Sequence, residues 1–335
     1  MGPMLSRMLE RFPVNPNGFV LTRDVRAAGR LAQLRNAEAR GELERVRAGV
    51  YRRPADYDET WSTAKRDAAE YRVKVSGVAQ TLSAPIFTGH SAAALLGLPT
   101  LGRWPDDVYV LSRDATGHRR AGVTSVARRH EVDVEQLNGI AMTSIEFSLV
   151  QLCRRATLTA ALTTVDAALH VPRLGAGHAI APRTTLDRLI AEHQRLLPYP
   201  RSRQVDAVLR RATHLAETPL ETLSRVVIEE LGFPQPELQH ELWLPELGRR
   251  AFLDFHWPEY GIGAEADGRG KYEAAGDVPT SIATVIAEKE REDAVRRQVQ
   301  AFTRWNWAEA WGRSVLFTKL RDAGLPVVRK VMALR

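Results

Sequence analysis

The sequence predicts an α/β protein of the mixed α+β type, in three parts that span residues 1–54, 55–200 and 201–335. Two observations predict this class. The chain has 335 residues, which is too long for one ordinary core, so two or three domains are expected. Short segments with helical periodicity also alternate with segments that have the composition of strands. The 44% apolar and 26% charged residues are typical of a globular protein.

Composition and the N-terminus exclude several classes of protein. The apolar runs are shorter than the roughly 20 residues that a membrane-spanning helix needs. Charged residues lie near the N-terminus, where a signal peptide needs an apolar stretch. The single cysteine, Cys153, excludes an internal disulfide and a cysteine-rich zinc site, and we interpret it as a small core residue. We therefore expect a cytoplasmic protein with no membrane partner.

The charge of the chain indicates a polyanionic partner. The net charge is +7, and the pI is about 9.8. Six of the 47 basic residues are lysine, and the rest are arginine. Between Val75 and Thr318 the lysines are Lys271 and Lys289, and both lie beside an acidic segment. This position makes the two lysines candidates for a role in a site.

The first part predicts two short helices followed by a two-stranded ribbon. Thr22 is expected to be the N-cap of the first helix, which should stop at Gly29, and the second helix spans about 30–39. The ribbon covers about 43–51, and the whole resembles a helix-turn-helix with a wing. We predict that this part binds DNA; the alternative is a solvated basic hairpin packed on helices. The expected DNA-binding residues are polar and lie on the second helix and the ribbon: Arg30, Gln33, Asn36, Arg40, Arg45, Arg47 and Arg52.

The middle part predicts a mixture of helices and strands. Strands are expected at 107–111 and 122–126, with helices at 88–97, 146–155 and 159–170. Prolines and glycines between residues 171 and 200 predict a loop and a domain boundary. His90 has no nucleophile or metal-ligand set near it in the sequence. We therefore interpret His90 as an ordinary residue at a helix start.

The last part contains the most informative segment of the chain. Two short apolar runs carry carboxylates and are joined by a turn at 257–259. A carboxylate in an apolar strand needs a cation, a metal ion or hydrogen bonds to compensate its burial. Glu265 and Asp267 are two residues apart and should share one face of a strand, and in a hairpin Asp254 can reach the same patch. Three such oxygen ligands suit Mg²⁺, or Mn²⁺ in its place.

The elements around this hairpin follow the order α-β-β-β-α-β-α. The stretch from Thr218 to Glu221 has the cap, proline and glutamate of a helix start. A strand at 238–244 precedes the hairpin, and a helix at 281–298, a strand at 300–305 and a helix capped by Asn306 follow it. Trp305 and Trp307 could stack on bases, but packing is the favoured interpretation.

This order and these residues resemble the PD-(D/E)xK nuclease superfamily, in particular the branch related to very-short-patch-repair endonucleases. The resemblance covers about 215–312. It implies metal-dependent hydrolysis of DNA phosphodiesters, with Asp254, Glu265 and Asp267 as ligands of Mg²⁺. The full set of catalytic residues that it implies comprises Glu221, Asp254, Glu265, Asp267, Lys271 and Lys289.

Three alternatives stay open at this site. Asp267 stands where many members of the superfamily have lysine, so either Lys271 or Lys289 would assist the attacking water. Glu221 would hold metal-bound water or would only complete a helix cap. Lys289 and Asp293 are four residues apart and would otherwise form a surface ion pair.

The first 150 residues resemble the AbiEi family of antitoxins from abortive-infection toxin–antitoxin operons. The predicted winged helix and the segment His90–Pro99 carry this resemblance. It implies a bacterial DNA-binding protein in phage defence, with a toxin partner or a homodimer. The Arg-Thr-x-x-Asp pattern of many relatives is absent from 146–151, so its role does not transfer. The competing function is a non-catalytic DNA-binding regulator or antitoxin with a degenerate nuclease fold.

Overall fold

The computed structural model describes residues 11–171, 181–267 and 282–331, and the protein has the predicted mixed α+β class. It contains two compact units. One covers the chain to Leu98 together with Gly102–Leu152, and the other covers Pro99–Leu101 and the chain from Cys153 onwards. The three-part division at residues 54 and 200 stays a prediction. Within the described ranges, every helix is too short or too polar to cross a bilayer.

The first unit begins with a small antiparallel sheet and two helices. The elements are β1 (Val20–Leu21), α1 (Thr22–Ala27), α2 (Leu31–Ala39), β2 (Glu44–Arg47) and β3 (Val50–Arg52), and the strand order is β1-β3-β2. Gly29 has a φ of +69° and ends the turn between the helices, as expected. The predicted cap at Thr22 is wrong, because Thr22 is already helical and its backbone N–H donates to the Gly49 carbonyl at 3.0 Å. The chain passes directly from a paired strand into the helix.

In the described residues, the rest of the first unit combines three helices with two more β-structures. It contains α3 (Thr63–Ala79), α4 (Gly89–Leu95), β4 (Val108–Leu111), β5 (His118–Arg120), β6 (Val123–Val126), β7 (Val134–Leu137) and β8 (Ile140–Thr143), followed by α5 (Ile145–Cys153). The sheet order is β4-β6-β5, and β7 pairs with β8. Tyr71, Phe87 and Val108 pack together in the core of this region. The strands expected near 107–111 and 122–126 are thus present, whereas the polar, exposed β5 carries no apolar alternation that would have predicted it.

The second unit contains four helices and then a four-stranded sheet. The helices are α6 (Leu158–Leu169), α7 (Leu186–Leu196), α8 (Ser202–Leu209) and α9 (Pro219–Glu230). The remaining elements are β9 (Glu237–Leu244), β10 (Arg249–Trp257), β11 (Ile262–Ala266), α10 (Ile282–Arg296), β12 (Ala301–Trp305), α11 (Trp307–Gly312) and α12 (Ser314–Asp322). The strand order is β12-β11-β10-β9. Strands β9, β10 and β11 are antiparallel neighbours, and β12 runs parallel to β11.

The predicted order α-β-β-β-α-β-α is present from α9 to α11. Pro219 follows the cap Thr218 as predicted, and Asn306 and Glu309 form a complete capping box at α11. The single final helix that the sequence predicts is divided in two at Arg313, which has a φ of +61°. Helix α7 lies inside the segment that we expected to contain a loop, and the Thr185 hydroxyl caps it.

Strand β10 changes the face that it buries at Asp254. Phe255 packs in a core cluster with Leu223 and Val227 of α9, whereas Leu253 packs in a separate cluster with residues of α10. Strict alternation would place residues 253 and 255 on the same face. The switch therefore falls on the residue between them, which is the acid that the sequence singled out.

Candidate active site and nucleic-acid surface

Asp254 connects three strands at the point where β10 changes face. Its Oδ2 accepts a hydrogen bond of 2.8 Å from the backbone N–H of Ala266 on β11. Its Oδ1 lies 3.4 Å from the amide nitrogen of Gln239 on β9. Gln239 lies between His240 and Leu238, the register partners of Leu253 and Phe255, and has a φ of +53°, a conformation that residues other than glycine rarely adopt. The local irregularity of both strands thus directs polar side chains towards one point.

The same glutamine also connects Glu221 to this point. Gln239 Nε2 donates to Glu221 Oε2 at 3.1 Å. Glu221 also accepts hydrogen bonds from the Thr218 hydroxyl at 2.8 Å and from the Glu217 backbone N–H at 2.9 Å. Burial raises the pKa of the Glu221 carboxyl, and the hydrogen bonds from its neighbours only partly oppose this shift. Glu221 thus contacts the cap residue Thr218 and, through Gln239, is connected to Asp254, so the choice between its two predicted roles stays open.

Glu265 is a buried carboxylate on β11 that two arginines compensate. Arg291 of α10 donates two hydrogen bonds to it, at 2.9 and 3.1 Å, and Arg304 of β12 donates a third. Hydrogen bonds to Glu288 and then to Glu265 raise the pKa of the Arg291 guanidinium. The two N–H groups of Arg291 contact the two carboxylate oxygens of Glu265, which is the bidentate geometry that a guanidinium forms with carboxylates and phosphates.

The cations beside Glu265 are arginines and not the lysines that the sequence predicted. Lys289 is exposed on α10, and Lys271 lies outside the described residues. Arg304 is the register partner of Glu265 in the parallel β11–β12 pair, and Arg291 lies two residues after Lys289. The abundance of arginine in this chain hid both residues, because a single arginine carries little information in such a composition.

Asp267 lies one residue beyond β11 and is partly exposed. Its backbone N–H donates to the Trp305 carbonyl at 2.8 Å, and its carboxylate lies 3.7 Å from Arg304. Within the described ranges, the three predicted metal ligands, Asp254, Glu265 and Asp267, do not form a group whose ligand atoms all lie within 4.8 Å of one another. The structure thus brings Glu221 and Asp254 to one point, and it pairs Glu265 and Asp267 with arginine.

Some of the predicted DNA-binding side chains are exposed, and some form ion pairs or hydrogen bonds within the protein. Gln33, Asn36 and Arg45 are exposed. Arg40 forms an ion pair of 2.7 Å with Glu42, and Arg30 donates to the Arg11 carbonyl at 2.8 Å. Arg40 is also exposed, so its ion pair with Glu42 does not remove it from the solvent-facing part of the predicted surface.

Two further arginines of the predicted DNA surface are partly buried. Arg52 donates to Glu44 and, at 2.6 Å, to Glu70, and its side chain is 13% exposed. Burial lowers the pKa of the Arg47 guanidinium. These contacts hold Arg52 against α3, so its role in binding DNA stays a prediction.

Three residues that we interpreted as structural have buried positions. Trp305 is 1% exposed, and its indole N–H donates to the Ser224 hydroxyl at 2.8 Å, which supports packing over base stacking. Burial raises the pKa of the Cys153 thiol to about 12, which makes the residue an inert core thiol. His90 is buried at the start of α4.

Comparison with models of known protein families gives no match for this chain, and comparison with curated proteins gives none either. The resemblances to the PD-(D/E)xK and AbiEi families therefore rest on the residues and on the element order described above.

Proposed function

We propose that this protein binds DNA and that its second unit hydrolyses phosphodiester bonds as a metal-dependent endonuclease. The position of Asp254 carries this proposal. Its carboxylate joins Gln239, which also holds Glu221, to the backbone of Ala266, the neighbour of Glu265. The acids expected of a PD-(D/E)xK site thus come from the first helix and from two adjacent strands of the α-β-β-β-α-β-α order.

The chemistry of the donor set fits a hard divalent cation. Asp254 and Glu265 would hold Mg²⁺ or Mn²⁺, because such ions prefer carboxylate oxygens. When bound, the ion would lower the pKa of the attacking water and neutralise charge on the scissile phosphate. Glu221 is held by neutral donors in the described structure, and a nearby cation would favour its ionised form.

Arg291 and Arg304 would contact the phosphate of the substrate. Both guanidiniums are aimed at Glu265, and a phosphate oxygen is an equally good acceptor for their paired N–H groups. In this role they would stabilise the charge that develops during hydrolysis, the task that the sequence assigned to Lys271 or Lys289.

A cleavage assay tests this function. The full chain would be incubated with plasmid and with single-stranded DNA, in the presence of Mg²⁺, Mn²⁺ or EDTA. We expect cleavage that needs the cation and falls at least about 100-fold in Asp254→Asn and Glu265→Gln. Glu259→Gln serves as the matched control, because Glu259 is an exposed acid in the turn between β10 and β11. The proposed site would be rejected if cleavage persisted in EDTA. It would also be rejected if both site variants cleaved DNA as fast as the unmodified chain.

One observation favours a second function, a non-catalytic DNA-binding regulator. Two arginines already compensate Glu265, and Asp267 stands in the place of the usual lysine. A cation must compete with those guanidiniums, which weakens metal binding in this arrangement. DNA binding without cleavage in Mg²⁺ and in Mn²⁺ would select this function, with a toxin or a second copy of the chain as its partner.

The N-terminal elements support DNA binding in both cases. Helices α1 and α2 are separated by three residues and are followed by the β2–β3 ribbon, as in a winged helix-turn-helix. Exposed Gln33 and Asn36 on α2 would contact base edges, and Arg45 would contact phosphate.

Binding measured over a salt series tests this surface. Arg45→Ala should weaken DNA binding and reduce the slope of log affinity against log salt by about 1, because one phosphate contact is lost. Arg120→Ala, an exposed arginine on β5, is the control and should keep the slope of the unmodified protein. Equal slopes for the two variants would exclude Arg45 from the interface.

A further inference from the structure

Three potential metal ligands lie together at the start of β9 and the end of β10, and none of them belongs to the predicted nuclease site. One ligand atom each from Glu237, His240 and His256 lies within 4.8 Å of the other two. Glu237 and His256 are direct register partners in the antiparallel pair. We propose that this Glu-His-His cluster is a binding site for a divalent transition metal, with Zn²⁺ as the best fit.

The left-handed backbone at Gln239 explains how the third ligand joins the other two. Residues 237 and 240 would lie on opposite faces of a regular strand. Gln239 interrupts the alternation with a φ of +53°, and the ring of His240 then lies against that of His256, with centroids 4.0 Å apart. The side chain of Gln239 thus contacts Asp254, while its left-handed backbone brings His240 to the side of the strand where His256 lies.

The distances between the ligand atoms match a tetrahedral ion. His240 Nδ1 lies 3.0 Å from Glu237 Oε2, and His256 Nδ1 lies 3.9 Å from the same oxygen. With metal–ligand bonds of about 2.1 Å, ligand atoms around a tetrahedral Zn²⁺ are separated by about 3.4 Å. The observed values lie on either side of this separation, so shifts of about half an ångström would bring both histidine nitrogens to the required distance from the Glu237 oxygen.

The state of His256 also suits a metal ligand. Its Nδ1 atom is buried and forms no hydrogen bond with any residue in the described ranges. A buried ring nitrogen without a hydrogen bond is costly, and coordination of an ion would satisfy it.

The ligand types distinguish this site from the proposed Mg²⁺ site. Two imidazoles and one carboxylate suit Zn²⁺ and related ions, whereas Mg²⁺ prefers oxygen ligands. Three protein ligands leave a fourth tetrahedral position for water. The bound ion would connect the edge strand β9 to β10.

Metal titration of the full chain tests the inference. The protein would be stripped with EDTA, dialysed and titrated with Zn²⁺ in a calorimeter, and then with Co²⁺ while visible absorption is recorded. We expect one equivalent of Zn²⁺, a tetrahedral Co²⁺ spectrum, and no competition from excess Mg²⁺. Glu237→Gln and His240→Gln should weaken Zn²⁺ binding by about 100-fold or more, because each removes a ligand.

The controls separate this site from the nuclease site and from misfolding. Glu237 has a side chain that is 56% exposed, so Glu237→Gln keeps the core intact. His130→Ala removes an exposed histidine elsewhere and should bind Zn²⁺ as the unmodified chain does. Asp254→Asn should also retain Zn²⁺ while it loses cleavage. The inference would be overturned by the absence of a stoichiometric Zn²⁺ site, or by a Zn²⁺ affinity in Glu237→Gln and His240→Gln that equals that of the unmodified chain.

Discussion

Two parts of the second unit compensate buried carboxylates in different ways. Glu265 on β11 is paired with two guanidiniums, from Arg291 and Arg304. Glu221 instead accepts hydrogen bonds from neutral donors, namely the Glu217 backbone N–H, the Thr218 hydroxyl and the Gln239 amide, which also lies 3.4 Å from Asp254. The two arrangements use adjacent residues of one sheet, since Asp254 binds the backbone of the residue next to Glu265.

This difference shows where an added cation would be favoured. At Glu265 the negative charge is already opposed by fixed positive charge, and a metal ion must compete with it. At Glu221 neutral donors leave the cost of burying a charge only partly compensated, and the raised pKa of Glu221 expresses that cost. We therefore expect substitutions around Glu265 and around Glu221 to lower the free energy of unfolding by different amounts and with a different dependence on pH.

The largest effect is expected at the arginine-paired carboxylate. Arg291→Gln removes two charge-assisted hydrogen bonds from buried Glu265, and we expect the free energy of unfolding to fall by about 2–3 kcal/mol. Urea denaturation would measure the change. Arg296→Gln, on the same helix and in a half-exposed pair with Glu292, should cost only about 0.5 kcal/mol. Equal losses in the two variants would show that Glu265 does not depend on its arginine partners.

A smaller effect is expected from the Gln239 amide, which connects Glu221 to Asp254. Gln239→Ala removes the amide that donates to both Glu221 and Asp254, and we expect a loss of about 1–2 kcal/mol in the free energy of unfolding. Gln298→Ala, an exposed glutamine, should change stability little. If Gln239→Ala were as stable as the unmodified protein, the hydrogen bonds of the Gln239 amide would be dispensable for folding.

The pH dependence of stability should reveal the neutral environment of Glu221. Burial raises its pKa above the ordinary value of 4.5, so the folded state binds the proton more tightly than the unfolded state does. The resulting stabilisation is fully present below pH 4.5 and is lost as pH rises through the pKa of the folded state. Chemical denaturation from pH 4 to pH 8 should therefore show the unmodified protein losing stability relative to Glu221→Gln. If the difference in free energy of unfolding between the unmodified protein and Glu221→Gln stayed constant from pH 4 to pH 8, the pKa of Glu221 would not be raised.

The smallest effect is expected at Lys289, one of the two lysines that the sequence predicted for the site. Lys289 is exposed on α10, so Lys289→Ala should leave the free energy of unfolding within about 0.5 kcal/mol of the unmodified value. If the endonuclease proposal is right, cleavage should also persist in this variant while it falls in Arg291→Gln. A loss of cleavage in Lys289→Ala with normal stability would return the cationic role to lysine.

Local signals in the chain predicted most elements of the second unit. The cap at Thr218, the capping box at Asn306 and the apolar alternation around Asp254 each act over a few residues, and each predicted an element that the structure contains. The choice between a cap and a site role for Glu221 could not be made in this way. Its partner Gln239 is distant in sequence and becomes a neighbour only through the packing of α9 on the sheet.

The sequence by itself determined the mixed class, the order of elements around the acidic hairpin, and the position of a partly buried acid, Asp254, inside an apolar strand, because periodicity and capping are local properties. The tertiary structure alone decided which cations meet Glu265, since Arg304 reaches it through parallel strand pairing and Arg291 through the packing of α10. It also decided that Glu237, His240 and His256 meet, because a single left-handed residue overrides the alternation of β9. Contacts between distant segments depend on register and backbone conformation, and the pattern of residue types does not encode either one locally.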